Sequence, residues 1–124
     1  MPAQRGAGVV AIGASAGGVE ALRAVVGGLP PELPAAVLVV LHVPRYAPSA
    51  LPGILDRSGR LSAVPARHGI PAQPGTIYVA PADHHLLLRD GHLRLSVGPT
   101  ENGHRPAIDP LFRSAAMAFS PGAI

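Results

Sequence analysis

Two stretches of this chain, Gly8-Val9-Val10-Ala11-Ile12-Gly13 and Ala36-Val37-Leu38-Val39-Val40-Leu41-His42, are apolar at consecutive rather than alternate positions. A strand with one wet face alternates polar and apolar residues. A strand apolar throughout is buried on both faces, as in a parallel sheet covered above and below. Between the two runs, Val19, Leu22, Val25 and Val26 recur at helical spacing until Gly27-Gly28 and Pro30-Pro31 stop the pattern. Strand, helix, strand therefore reads as a parallel unit with a right-handed crossover.

Downstream the texture changes. Ala50 to Arg57 reads as a short helix, with Pro52 close enough to its start to be tolerated. Short β-like runs follow at Ser62 to Arg67, Thr76 to Ala80, His84 to Arg89 and His92 to Val97, and Asp90-Gly91 is a two-residue hairpin turn between the last two. Asp109 to Ala118 reads as a helix, with Asp109 as cap and Pro110 at its first position. Ser120 to Ile124 reads as the connection to a further strand that this chain lacks. The expected fold class is thus α/β: a doubly wound, mainly parallel, three-layer (Rossmann-like) sheet with an antiparallel hairpin, lacking its C-terminal strands. Residues 1–124 read as one domain, without repeats or a low-complexity linker.

Composition narrows the function classes. With 48% hydrophobic and 14% charged residues among 124, the chain can bury a core and is not a disordered polar tail. No apolar run approaches the roughly 20 residues that cross a bilayer, and no charged-then-apolar leader opens the sequence. Without cysteine there is no disulfide, thiolate nucleophile or cysteine-bound zinc. A reducing compartment, the cytoplasm, is expected. The formal charge of +3 comes from arginines scattered between Arg5 and Arg113, and aromatics are only 3%, so nucleic acid is not an expected partner. His68, His84, His85, His92 and His104, with Asp83, match no metal-ligand spacing and read as surface or hairpin residues. No metal and no cofactor are expected.

Gly13-Ala14-Ser15-Ala16-Gly17-Gly18, between the first strand and the first helix, fits the G-x-S-x-G pattern of a nucleophile turn. Small residues let the backbone turn at Ala14 to Gly17 and let a substrate approach. At the helix N-terminus the amides of Ala16 and Gly17 are free to face an oxyanion. Ser15 needs a base, and His42, ending the second strand at the same carboxyl edge, is the candidate. The competing reading is a dinucleotide-binding turn. It is disfavoured because Ser15 stands where the middle glycine belongs, and His42 where a ribose-binding acid belongs.

These residues resemble the CheB-type chemotaxis methylesterases. Gly13 to Gly18 followed by Val19-Glu20-Ala21-Leu22 is similar to the family's active-site turn, and Leu41-His42-Val43-Pro44 to its histidine strand end. Tyr78-Val79-Ala80-Pro81-Ala82-Asp83-His84-His85 and Asn102-Gly103-His104-Arg105-Pro106, with Asp109, Leu111, Phe112 and Ser114, continue the likeness in the family's order. The resemblance implies a serine hydrolase that demethylates γ-glutamyl methyl esters, and deamidates glutamines, on methyl-accepting chemotaxis receptors. Ser15 is then the nucleophile and His42 the base. The threonine usual after the serine is Ala16 here, which keeps the backbone amide but not a side-chain hydrogen bond.

The resemblance puts the triad aspartate in a glycine-rich stretch beyond the Asp109 to Ala118 helix, which this sequence does not reach, and Asp109 itself is read as a cap. Impaired turnover is therefore expected, since loss of the orienting carboxylate costs about 10⁴ in other serine hydrolases. Marginal stability is expected for the same reason, the sheet lacking part of its cover. No receiver domain is expected within the chain. A non-catalytic receptor-binding remnant and a nucleotide-binding module are the alternative functions. Arg105 is open between substrate binding and packing on its own loop.

Overall fold

Strand pairing starts from the two apolar runs. The computed structural model describes residues 8–42, 50–81 and 84–97. The expected helix at Asp109 to Ala118, the Ser120 to Ile124 connection, Asp83, and the motif holding His104 and Arg105 lie outside them. Strand β1 (Gly8–Ser15) pairs in parallel with β2 (Ala35–His42) along its whole length. Helix α1 (Val19–Gly27) joins them and buries Leu22 and Val26. Helix α2 (Leu51–Ser58) follows β2; Pro52 sits in its first turn, where a missing N–H costs no helical hydrogen bond.

Strands β3 (Ser62–Pro65) and β4 (Thr76–Val79) complete a parallel sheet in the order β1-β2-β4-β3. Strands β5 (His85–Arg89) and β6 (His92–Ser96) form a separate antiparallel hairpin. Its turn residues Asp90 and Gly91 have φ of 53° and 74°, the left-handed pair that a two-residue I′ turn requires.

The central strands are apolar along most of their length because they face two cores. On one side Val37, Val39, Leu41, Ile77 and Val79 pack against Leu22, Val26 and Leu55 of the two helices. On the other, Val9, Ala36, Leu38, Val40 and Tyr78 pack against Leu86, Leu88 and Leu93 of the hairpin. The layers are therefore two helices, a parallel sheet and a hairpin.

Handedness explains the division. From β1 to β2 and from β2 to β3 the chain steps across the sheet in one direction, and both helices lie on one face. From β3 to β4 it steps back, so the same right-handed rule carries the connection over the opposite face. Ala66, Ile70 and Ala72 of that connection indeed pack on the hairpin side. Tyr78 ties it down: its hydroxyl accepts the Gln73 N–H at 2.9 Å and donates to the Pro71 carbonyl at 3.3 Å.

The two helices approach closely at their C-terminal ends because both carry glycine there. A Cβ on Gly59 would lie 2.5 Å from the Val26 carbonyl oxygen, and one on Gly27 would lie 3.0 Å from that of Ser58. The Asp56 carboxylate accepts the Ala63 N–H at 3.0 Å, so α2 also anchors the start of β3.

Candidate active site

Ser15 is the last residue of β1 and His42 the last of β2, and they are register partners on the final rung of that ladder. Adjacent strands are about 4.8 Å apart, so the two backbones are neighbours at the carboxyl edge of the sheet. The sequence pattern put a turn at Ala14 to Gly17. Instead the strand continues through Gly13, Ala14 and Ser15, which pair with Val40, Leu41 and His42. The turn is a 3-10 segment, Ala16–Gly18. The physical reason lies in the partner: β2 continues to His42, and a strand keeps its ladder hydrogen bonds for as long as it has something to pair with.

The glycines after Ser15 differ in what they do. A Cβ on Gly18 would lie 3.1 Å from that of Ala14, so this position lets α1 start directly against the strand end. Gly17 is exposed, with nothing within 4 Å of the position a Cβ would take, so space beside the turn is open. Gly18 caps α1 without a side-chain hydrogen bond. The first turn of a helix has donors without intrahelical partners, and no side chain at the cap position occupies them here.

His42 ends β2 at the carboxyl edge of the sheet. β2 leads into α2 on the helix side of the sheet, whereas its neighbour β4 leads into the hairpin on the other side. Connections leaving adjacent parallel strands for opposite faces part at their carboxyl ends, which is where open α/β sheets take ligands.

Two of the remaining histidines have backbone partners. The Leu95 N–H donates to Nδ1 of His68 at 3.0 Å, so the proton of that neutral ring is on Nε2. His92 Nδ1 donates to the Asp90 carbonyl at 2.8 Å, across the hairpin turn. Among the described residues no three His, Asp or Glu side chains converge as a metal site. No described helix is long and apolar enough to cross a membrane.

The comparisons with known proteins bear on the fold and the family. Residues 10–124 match the family described as CheB methylesterase. A protein-glutamate methylesterase/protein-glutamine glutaminase 2 of Anaeromyxobacter dehalogenans strain 2CP-C is 45% identical over 111 residues, covering 90% of this chain and 33% of that protein. The similarly named protein of Methanosarcina mazei is 40% identical, covering 94% of this chain and 34% of its own length. This chain thus spans about a third of these relatives. The crystal structure of the Thermotoga maritima CheB methylesterase catalytic domain superposes with a TM-score of 0.88 at 32% identity, covering 94% of this chain and 64% of that one. The mainly parallel sheet with its small antiparallel hairpin is that fold, and with the match extending over residues 10–124 the chain belongs to the CheB methylesterase family.

Proposed function

We propose that this protein is a protein-glutamate methylesterase in which Ser15 is the nucleophile, His42 the general base, and the backbone amides of Ala16 and Gly17 the oxyanion donors. Ser15 Oγ attacks the γ-carbonyl carbon of a glutamyl methyl ester while His42 takes the hydroxyl proton. The amides hold the negative oxygen of the tetrahedral intermediate. Its collapse breaks the bond to the methoxy group, which leaves as methanol with the proton from His42. Water, deprotonated by His42, then attacks the acyl-serine and releases the glutamate carboxylate and the free hydroxyl. A glutamine side chain follows the same path with ammonia as leaving group. The protein substrates are methyl-accepting chemotaxis receptors, reached in the cytoplasm.

The observation that carries this reading is the Ser15–His42 register at the carboxyl edge, followed at once by a glycine-rich helix start. The relatives' names supply the substrate chemistry, a glutamyl ester or glutamine within a protein. The test is a fluorophosphonate that phosphonylates activated serines. Mass spectrometry of the labelled protein should place the adduct on Ser15, and labelling should fall in His42→Gln. An adduct elsewhere, or methanol release from a γ-methyl glutamyl peptide that survives Ser15→Ala, sinks the assignment.

A further inference from the structure

Between α1 and α2 lies an open groove of about 220 Å³, lined by Val19, Glu20, Arg23, Ile54 and Arg57. Two guanidinium groups and one carboxylate line it. Arg23 is held on both sides: Nη1 bonds Glu20 Oε1 at 3.0 Å and Nε donates to Ser58 Oγ at 3.3 Å. Glu20 is thereby matched. Among the described residues Arg57 forms no ion pair. Its guanidinium folds back along α2, with Nη1 3.3 Å from the point a Gly53 Cβ would occupy. Helical side chains lean toward the N-terminus, and both helices begin at the carboxyl edge, so this charge is carried toward the end of the sheet where Ser15 stands.

The groove begins at Val19, separated from Ser15 by the 3-10 turn, about 6 Å of rise. Val19 and Ile54 give it apolar walls. An aliphatic stem ending in a carboxylate matches that combination, because the stem lies on the apolar walls while the guanidinium takes the head.

We infer that this groove is a specificity subsite for an acidic side chain of the protein substrate, flanking the glutamyl group that reacts at Ser15, with Arg57 as its anchor. The inference rests on the reading of Ser15 as nucleophile. A chain crossing the carboxyl edge presents the reacting side chain at the strand ends and a neighbouring acidic one to the groove.

Two peptides test it, each with a central glutamyl γ-methyl ester, one flanked by glutamates and the other by serines. The wild type should prefer the acidic peptide in kcat/KM. Arg57→Gln should lower that preference about five-fold, the scale of a solvent-exposed charge pair, through KM, and Arg57→Lys should restore most of it. A preference unchanged in Arg57→Gln overturns the subsite and leaves the nucleophile assignment standing. If the wild type hydrolyses neither peptide measurably, the fluorophosphonate adduct decides the nucleophile assignment, and fluorescence anisotropy with the corresponding glutamine peptides decides the groove. Tighter binding of the acidic peptide to wild type than to Arg57→Gln supports it, and equal dissociation constants overturn it.

Discussion

Ser15 and His42 stand opposite each other on the last rung of the β1–β2 ladder, each the terminal residue of its strand. If the hydroxyl and imidazole act as one unit, removing either should cost nearly as much as removing both. Ser15→Ala, His42→Gln and the double variant are each expected to lower methanol release from a γ-methyl glutamyl peptide to the same residual rate, a fall of about 10²-fold from the already impaired turnover expected of this chain. A double variant much slower than either single one would mean that the two act independently.

Gly17 and Gly59 should separate function from stability. Gly59 faces the Val26 carbonyl at 2.5 Å from a would-be Cβ, and backbone cannot give way as a flexible side chain can. Gly59→Ala is expected to destabilise the fold by about 1–3 kcal/mol, read from the denaturation midpoint. Gly17→Ala meets nothing within 4 Å. Its midpoint should stay within about 0.5 kcal/mol of wild type, and its effect should fall on ester turnover.

Leu55 is fully buried between α2 and the sheet, in one cluster with Leu22, Val26 and Ile77. Leu55→Ala removes apolar contact on the helix side and leaves a cavity. The expected loss is about 2–5 kcal/mol in urea unfolding, with the larger values if the site fails to collapse. A loss below 1 kcal/mol would show that α2 is not a structural cover of the sheet.

Tyr78 bridges the β3–β4 connection from within the other core, accepting from Gln73 and donating to Pro71. Tyr78→Phe keeps the ring packing and strips both hydrogen bonds. A cost of about 1–2 kcal/mol is expected, with faster hydrogen exchange at the Gln73 amide. Unchanged exchange at that amide would contradict the assigned bond.

Much of the architecture was legible because apolar pattern and burial are directly linked. The continuous runs ending at Ile12 and at Leu41 announced strands with two covered faces, and Asp90-Gly91 announced its turn because few residue pairs tolerate positive φ twice. Element ends were less legible. The pattern ended β1 at Gly13, whereas pairing with Leu41 and His42 carries it to Ser15. The Arg57 groove left no local signal, since Arg23 and Arg57 are ordinary exposed helix residues until α1 and α2 are laid side by side.

The sequence by itself determined which segments form strands and bury, and which small-residue turn follows the first strand, because these depend on periodicity and backbone sterics within a few residues. Only the tertiary structure decided the order β1-β2-β4-β3, the face each connection takes, and the alignment of Ser15 with His42. Those depend on ladder register and crossover handedness, which join residues far apart in the chain and leave no trace in local composition.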